Sequence, residues 1–478
     1  MNDRPYIVLT GATGLLGQYL MRDLLARGHR VAVIVRPNKK QSAEERIEQI
    51  MQMWDEQLGQ PQRRPMVLEG DITQPLIGLS QEDLDWVTAH AGTMLHCAAS
   101  LVFNELNGEP YRTNIEGTRH TLDLCRAAEI DVMHYISTAY VCGRQEELVK
   151  EDQFDVGQEF RNDYEKSKFE AERLVRDHGF DSLTVFRPVV ITGDSVTGYT
   201  STYHGTYLYM KVAKVLATNF EPDEDGYRNI PVRWGLTGDE RRNITPVDWN
   251  SEVICRLFEN PQAHGRTFHL APAQPITMRE AMEFGTDFFK IKGLTFAGYG
   301  LEGPAKGEPR LNDMEKWLWA NIQIYGSYDF MDPQFDWTNL EAFCPEPVCP
   351  PIDHECARRL IEFAEDDKWG RKKKPAPRPA PVDVEQTLLE RMTPQAANGV
   401  APQRCALQVR GAGGGDWTLS FHGDALVDVQ RGASAGADTE VTLDSDQLAY
   451  ALEHEDLLAV VLPQVSRGDD ATLRPASS

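Results

Sequence analysis

The sequence predicts an α/β protein built on a doubly wound parallel sheet, with a smaller capping region and a small α+β domain at the C-terminal end. Three observations predict this fold. An apolar strand at residues 6–10 runs into a glycine-rich turn and then into leucines at helical spacing. Short apolar strands and helical segments alternate from there to about residue 190. Polar residues follow several strands directly, where a sheet of this kind gathers its ligands.

Length and composition limit the class of protein. The 478 residues exceed the usual size of one hydrophobic core, so we expect a large domain and a smaller one. Hydrophobic residues make up 41% of the chain, and no apolar run is long enough for an integral membrane segment. The formal net charge of −24 argues against nucleic acid or an anionic membrane as the main partner, since both would be repelled.

Cysteine usage and the start of the chain indicate a cytoplasmic protein. The eight cysteines are scattered without a CxxC pair, so we expect reduced thiols and neither a disulfide framework nor a metal site. The first strand begins at about residue 6, which leaves no room for a secretory leader.

The glycine-rich turn after the first strand indicates a Rossmann-type site for a dinucleotide cofactor. Gly11 permits a tight turn, Gly14 lets the backbone approach a phosphate, and Gly17 lets the helix pack close to the strand. The helix N-terminus adds N–H donors and a positive dipole. The alternative is an ordinary strand-to-helix turn that uses glycine only for backbone freedom. The predicted cofactor-binding residues in this segment are Thr10, Gly11, Thr13, Gly14, Leu15, Leu16 and Gly17.

The ends of the next three strands supply further predicted cofactor contacts. The second strand, at 31–35, ends in Arg36 with Lys39 nearby and without an acidic residue, which favours the 2′-phosphate of NADPH over the free ribose of NADH. The alternative is that these cations only solvate a loop. The third strand is followed by Asp71, which either binds the adenine edge or caps a turn. The remaining predicted contacts are Ile72, Ala98 and Ala99.

Two kinds of hydroxyl and an ammonium form the predicted reactive group. The fifth strand, at 132–136, delivers Ser137 and Thr138 to the same edge, where a hydroxyl can hydrogen-bond a substrate carbonyl oxygen. Tyr164 and Lys168 are four residues apart, which places them on one face of a helix. The positive charge of Lys168 would ease proton exchange by Tyr164, because a free tyrosine has a pKa of about 10. The sequence therefore predicts a nicotinamide-dependent redox enzyme.

Over about residues 5–275 the chain resembles the extended short-chain dehydrogenase/reductase superfamily. The resemblance is carried by the motifs TGATGLLG (10–17), GDIT (70–73), HCAAS (96–100), NIEGT (114–118), STAYVCG (137–143), YEKSK (164–168), FRPVVITG (186–193) and NITPVDW (243–249).

This resemblance implies a role for each matching residue. Tyr164 would be the proton donor, with Lys168 as its partner and as a ribose ligand. Thr138 would hold the oxyanion, with Ser137 as its neighbour.

The resemblance further implies that Asn114 steadies the active-site segment and a water. It also implies that Pro188 and Val189 lie near the nicotinamide amide.

Within the superfamily the chain is similar to the thioester reductase and fatty acyl-CoA reductase branch, often called male-sterility-like. SLVFN (100–104), STAYVCG (137–143) and FDWTNL (335–340) carry this similarity. It implies an NADPH-dependent reductase of a hydrophobic acyl thioester that forms an aldehyde and, if a second hydride follows, an alcohol. No adenylation or carrier domain precedes the reductase, so we expect the thioester to arrive as a CoA ester or on a separate acyl carrier protein.

Two other activities stay open at this point. The same residues can run an NAD(P)-dependent alcohol/ketone oxidoreductase acting on a sterol-like or β-hydroxy lipid, or a nucleotide-sugar epimerase or dehydratase. The physiological direction and the oligomeric state, including a homodimer, also stay open.

Composition divides the chain into two predicted domains. Residues 1–369 form the reductase, with a nucleotide-binding core at about 5–190 and a substrate cap drawn from about 194–245 and 275–369. A basic, proline-rich stretch at 370–382 is typical of a stiff, extended linker. Residues 383–478 contain three strands with glycine turns, a fourth strand and a helix. This tail is similar to a shortened sterol-carrier-protein-2-like lipid-binding domain, the alternative being a dimerisation or packing module.

Overall fold

Strands and helices alternate along the chain. The computed structural model describes residues 4–300, 303–304, 310–322, 331–393, 401–423, 425–434 and 436–454. Within these ranges the strands are β1 (Tyr6–Thr10), β2 (Arg30–Val35), β3 (Met66–Glu69), β4 (Ala91–His96), β5 (Val132–Ile136), β6 (Ser182–Pro188), β7 (Val190–Thr192), β8 (Arg228–Trp234), β9 (Arg241–Arg242), β10 (Ile244–Pro246), β11 (Thr267–Leu270), β12 (Ile276–Thr277), β13 (Ile291–Phe296), β14 (Gln403–Arg410), β15 (Gly415–His422), β16 (Ala425–Arg431) and β17 (Thr439–Asp444). The α-helices are α1 (Leu15–Ala26), α2 (Ala43–Leu58), α3 (Gln81–His90), α4 (Gly117–Ala127), α5 (Asp163–Asp177), α6 (Thr206–Thr218), α7 (Val247–Glu259), α8 (Met278–Phe289), α9 (Asp313–Ile322), α10 (Thr338–Phe343), α11 (His354–Asp366), α12 (Val384–Glu390) and α13 (Ser445–His454).

The central sheet is parallel throughout, as predicted. Its seven strands lie in the order β11-β6-β5-β4-β1-β2-β3. The inner strands are buried on both faces, because α1, α2 and α7 cover one face while α3, α4 and α5 cover the other. The strand order reverses beside β1, which pairs with both β2 and β4. A crevice at the carboxyl ends of β1 and β4 is where a doubly wound sheet binds its ligand.

The cap is assembled from short strand pairs and helices above this edge. Strands β8 and β13 pair with each other, and α6 and α8 pack beside them. Phe284 of α8 is buried against α11 residues, and Phe288 and Phe289 pack against the same cluster, as their helical spacing predicts.

One stretch that we assigned to the cap lies elsewhere. The segment around Phe335 and α10 runs back to the edge of the central sheet, where the side chain of Asn339 donates to the carbonyl of Thr267 on β11 at 3.0 Å. The buried carboxylate of Glu151 accepts the backbone N–H groups of Asn339 and His269 at 2.6 and 3.0 Å. These hydrogen bonds fix the segment to β11, which sequence spacing could not indicate.

The C-terminal domain is a four-stranded sheet with its own hydrophobic core. Its order is β16-β15-β14-β17, and the three strands β14, β15 and β16 are antiparallel, whereas β17 pairs in parallel with β14. Side chains of β14 and β15 pack on α12 and α13, and fill one face of the sheet. The resemblance of this domain to a lipid carrier stays a prediction.

This small sheet contacts the amino edge of the central sheet. Tyr6, the first residue of β1, donates to the carboxylate of Asp416 at 3.0 Å. Trp86, just before β4, donates to the carbonyl of Arg431 at 2.9 Å, and Arg30, the first residue of β2, pairs with Glu440 at 3.2 Å. The C-terminal domain therefore lies at the end of the parallel sheet opposite to the crevice.

The basic linker is extended and attached along its length. The side chain of Gln52 on α2 donates to the carbonyl of Arg378 at 2.8 Å and accepts its N–H at 2.8 Å. Gln49, one turn earlier, donates to the carbonyl of Pro375. The linker thus follows α2. Among the described helices, none combines the length and apolar character needed to cross a membrane.

Candidate active site

A cavity of about 920 Å³ opens at the carboxyl ends of the parallel strands. It extends from the glycine turn to the cap and brings together most of the predicted site residues. Those that line it are Gly11, Thr13, Gly14, Leu15, Leu16, Gly17, Arg36, Asp71, Ile72, Ala98, Ala99, Ser137, Thr138, Tyr164, Lys168, Pro188 and Val189. Thr10, Lys39 and Asn114 were also predicted, and they do not line it.

The glycine turn has the shape that a dinucleotide requires. Gly11 has a φ of +79°, and a Cβ there would lie 2.7 Å from the backbone nitrogen of Ala98. A Cβ on Gly17 would lie 2.1 Å from the carbonyl oxygen of Gly11. Side chains at both positions are therefore excluded, and the first turn of α1 carries no acidic residue that would repel a phosphate. These residues fit an NAD(P)-type cofactor.

Thr10 lies behind the cavity wall, so the structure does not place it among the lining residues, and its cofactor contact stays a prediction. Its hydroxyl is 2.7 Å from Nδ1 of His96 and accepts the N–H groups of Cys97 and Ala98, each at 3.2 Å. The side chain of a strand's last residue can point to either side of the sheet, and here it joins the ends of β1 and β4 instead of facing the cavity.

Two arginines stand at the far end of the cavity beyond β2. The Arg36 side chain is 68% exposed and lies 3.8 Å from Asp71. Arg46 of α2 also lines the cavity and donates to the carbonyl of Arg36, and burial together with the Arg36 charge lowers the pKa of Arg46. The sequence prediction missed Arg46, whereas Lys39 is exposed outside the lining. Asp71 also accepts from the backbone and hydroxyl of Thr73 at 2.9 Å, as a turn cap does.

Helix α5 carries the tyrosine and the lysine on one face. The helix begins after Asn162, whose side chain accepts the N–H of Glu165 at 3.0 Å. Lys168 is buried one turn below Tyr164, and its ammonium donates to the hydroxyl of Tyr135 at 2.9 Å and to the carbonyl of Ile136 at 2.8 Å. Burial lowers the pKa of Lys168 to about 8.

Tyr164 and Thr138 come from different elements, and both line the cavity. Burial raises the pKa of Tyr164 to about 12, and the Thr138 hydroxyl opposes that rise. The Thr138 hydroxyl also donates to the carbonyl of Pro188 at 3.3 Å. The ring of Phe103 packs edge-on against Tyr164, with centroids 6.0 Å apart. Two hydroxyls from different elements therefore line one cavity.

Asn114 acts on the site from outside the lining. It lies in a single π-helical turn, Arg112–Glu116. Its side chain accepts the N–H of Ser100 at 2.7 Å and donates to the hydroxyl of Ser167 at 2.8 Å. Asn114 thereby ties the segment after β4 to α5, in keeping with a steadying role.

The cap end of the cavity combines apolar and polar side chains. Leu101 and Phe103 of the SLVFN motif form part of the wall, and α6 and α8 contribute further lining through Tyr207, Tyr209, Met278 and Ala281. Polar groups there are Thr202, His204, Arg242 and Asp332. Burial lowers the pKa of His204.

Comparisons with known proteins agree with this geometry. Among curated proteins, the nonribosomal peptide synthetase asaC of Aspergillus flavus is 27% identical over 311 residues, covering 62% of this chain and 28% of that protein. Fatty acyl-CoA reductase 1 of Mus musculus is 34% identical over 149 residues, which is 29% of each protein. The chain thus spans less than a third of the length of either relative.

A solved structure and a family model extend the similarity to the whole reductase region. The terminal R domain from the myxalamid PKS-NRPS biosynthetic pathway superposes with a TM-score of 0.61 at 25% identity, covering 77% of this chain and 92% of that chain. The model of the family described as Male sterility protein matches residues 9–254. The chain therefore belongs to the Male sterility protein family, a branch of the extended short-chain dehydrogenase/reductases, as its motifs predicted.

Proposed function

We propose that this chain is an NADPH-dependent reductase of a hydrophobic acyl thioester, releasing a thiol and an aldehyde. The observation that carries the proposal is that Tyr164 and Thr138 line the same cavity as the glycine turn. A hydroxyl pair placed beside a dinucleotide site suits the reduction of a carbonyl group. The relatives named as a fatty acyl-CoA reductase and as an R domain support a thioester as the carbonyl compound.

The hydroxyl pair can stabilise and protonate the reacting oxygen. The cofactor, when bound, supplies a hydride to the thioester carbonyl carbon. Thr138 would donate a hydrogen bond to the carbonyl oxygen as negative charge develops there, and Tyr164 would donate the proton. Loss of the carbon–sulfur bond from the protonated adduct then gives an aldehyde and a thiol, so one hydride and one proton are consumed.

Lys168 provides a positive charge close to Tyr164 at neutral pH. Below its pKa of about 8, Lys168 is a buried cation one helical turn from Tyr164. A nearby positive charge favours proton release from a phenol, and the same ammonium can reach a ribose hydroxyl at the cavity wall. Tyr164, with a pKa raised to about 12, carries its proton at neutral pH and can therefore give it away.

The preference for NADPH is supported by the two arginines beyond β2. Arg36 and Arg46 both line the cavity. The ion pair between Arg36 and Asp71 is long, at 3.8 Å. A 2′-phosphate between the two guanidiniums would bring the opposite charge to both. A free ribose 2′-hydroxyl would bring none.

The hydrophobic character of the acyl group is supported by the wall around the hydroxyl pair. Leu101, Phe103, Tyr209 and Met278 present apolar surface to the cavity. Acyl-CoA and an acyl group on a separate carrier protein would place the same thioester there. A cytoplasmic location and a homodimer stay predictions.

The proposal is tested with purified protein, NADPH and palmitoyl-CoA. We expect loss of NADPH absorbance together with free thiol, measured with a thiol reagent. One NADPH for each thiol indicates an aldehyde product, and two indicate an alcohol. Oxidation of NADPH by lipid ketones without release of thiol from the CoA ester would overturn the proposal and favour the alcohol/ketone oxidoreductase. The same assay with an acyl group on a carrier protein compares the two thiol carriers.

A further inference from the structure

We propose that Glu172 is a positioning residue, whose carboxylate holds the ends of β5 and β6 against α5 and so sets the separation of Thr138 and Tyr164. The inference rests on the proposed function, because it concerns the geometry of that reaction. Glu172 does not line the cavity and its side chain is 0% exposed, so it acts through other residues.

Glu172 shares a helix face with the two reactive groups of α5. Tyr164, Lys168 and Glu172 are spaced at four-residue intervals, so they lie one above another along the helix. The carboxylate is the lowest of the three, beneath the cavity floor. A shift of this end of α5 would therefore tilt the face that presents Tyr164.

The carboxylate bonds to residues next to the catalytic ones. One oxygen accepts the hydroxyl of Ser137 at 2.5 Å, and Ser137 precedes Thr138 at the end of β5. The other accepts Arg187 at 2.6 Å, and Arg187 precedes Pro188, whose carbonyl receives the hydroxyl of Thr138. Both supports of Thr138 are thus fixed to one group on α5.

We call the hydrogen bonds of Glu172 with Ser137 and Arg187 the clamp, and the predicted site residue Ser137 is part of it. The hydroxyl of Ser137 donates to Glu172, so its hydrogen is directed beneath the cavity and away from a substrate oxygen. The Arg187 guanidinium is also buried, and together with Arg176 it lowers the pKa of Glu172 to about 2. Glu172 is therefore ionised throughout the working pH range, which suits a permanent clamp.

The charge of Glu172 also acts on Lys168, one turn away, whose pKa it raises against the effect of burial. The groups that face Lys168 from the packed elements are His96 and Cys97 at the end of β4, Tyr135 on β5, and Tyr164 and Glu172 on α5. Burial holds the pKa of His96 at about 3 and raises that of Cys97 to about 12. Lys168 is thus the member of this group that titrates near neutral pH, and it reports the state of the clamp.

Two substitutions separate the position of the carboxylate from its charge. Glu172→Asp keeps the charge but withdraws the oxygens by one methylene, whereas Glu172→Gln removes the charge at the same length. We expect Glu172→Asp to lower kcat about 10-fold with KM unchanged, and Glu172→Gln to lower it about 100-fold. Only Glu172→Gln should move the pH limb of Lys168, to lower pH by about one unit.

A matched control comes from the cap. Glu315 is also buried, also has a pKa of about 2, and binds Arg233 through two hydrogen bonds at 2.8 Å, whereas Glu172 binds both Arg187 and Arg176. It does not line the cavity. Glu315→Gln should therefore lower stability without changing kcat or the pH profile. If Glu172→Gln does not fold, Ser137→Ala removes the bond to β5 alone and should lower kcat with KM unchanged.

A binding measurement keeps the inference separate from the proposed function. The pH dependence of NADPH affinity, followed by its fluorescence, reports Lys168 without any substrate. A wild-type protein that does not reduce thioesters refutes the proposed function, yet a shifted binding profile in Glu172→Gln still supports the clamp. Unchanged kcat in Glu172→Asp and Ser137→Ala, with an unchanged binding profile in Glu172→Gln, would overturn it.

Discussion

The ammonium of Lys168 donates to the phenol of Tyr135 at 2.9 Å and lies 4.5 Å from the centre of that ring. Tyr135 is fully buried on β5, and Lys168 projects from α5. Tyr135, to which the sequence analysis gave no role, therefore helps to hold the buried cation of Lys168 one helical turn from Tyr164. Buried cations of this kind cost stability, which makes their effect measurable.

Replacing Lys168 with methionine should stabilise the cofactor-free protein while strongly reducing its activity. The pKa of Lys168 is about 8 in the folded protein and 10.5 without burial, so its charged form opposes folding below pH 8. After allowance for the two lost hydrogen bonds, we expect a gain of about 2 kcal/mol in the free energy of unfolding at neutral pH. The gain should shrink as pH rises from about 8 through 10.5, because above 10.5 the wild-type lysine is mostly neutral in both states. Urea unfolding at two pH values checks this, and a loss of stability at neutral pH would contradict it.

The same pKa predicts the pH profile of the wild-type enzyme. If the charged form of Lys168 is the active one, kcat/KM should fall as pH rises through about 8. Initial rates with NADPH at constant ionic strength measure this limb. An alkaline limb that remains in Lys168→Met at reduced rate would assign the titration to another group.

Removing the Tyr164 hydroxyl should stop the reaction and spare cofactor binding. Tyr164→Phe keeps the ring packed on Phe103 but removes the proton donor. We expect kcat to fall by about 10²- to 10⁴-fold, as for loss of a general acid. NADPH affinity, measured by fluorescence, should stay within a few-fold of wild type. Substantial thioester reduction by this variant would mean that another group supplies the proton.

Arg46 should determine the preference for NADPH. Arg46→Ala removes one of the two guanidiniums at the cavity end and should weaken NADPH binding by about 10- to 100-fold, the value of a charge-assisted hydrogen bond. NADH affinity should barely change. Lys39→Ala is the matched control, because this nearby cation lies outside the cavity lining and should leave both affinities as they are. Equal losses for NADPH and NADH in Arg46→Ala would argue against a 2′-phosphate site.

A methyl group at Gly17 should disrupt the cofactor turn. Its Cβ would lie 2.1 Å from the Gly11 carbonyl oxygen, and backbone must move to admit it. Gly17→Ala should therefore destabilise the protein by about 1–3 kcal/mol and weaken NADPH binding. Thermal unfolding and fluorescence titration measure the two effects. Wild-type affinity in this variant would show that the turn tolerates displacement.

The sequence was sufficient to predict those features of the site that lie within a single strand, turn or helix. The apolar run at β1, the glycine spacing at α1, and the four-residue interval from Tyr164 to Lys168 each lie within one element, and the structure places them as predicted. The thioester reductase motifs likewise gave the correct family.

Features that depend on long-range packing were missed. Arg46 reaches the cavity because the start of α2 lies beside Arg36, to whose carbonyl Arg46 donates, and no motif marks it. Glu172 follows Lys168 by four residues, so its helix face could be predicted from the sequence. Its partners lie at the end of β5 and on β6, and they could not be predicted without the order of the strands. Thr10 lies outside the cavity lining because the pleat, and not the motif, decides which way the last residue of a strand points.

The C-terminal domain contacts the amino ends of the parallel strands, whereas the cavity opens at their carboxyl ends. Strands of five or six residues span about 17–20 Å, so any molecule held by that domain would have to go around the sheet to be reduced. The domain instead shields Tyr6 and Trp86, two aromatic rings 4.9 Å apart whose polar atoms bond to it. The domain therefore covers the amino ends of the reductase strands. We expect a protein truncated before this domain to aggregate through the two uncovered rings, and its remaining folded fraction to bind NADPH still.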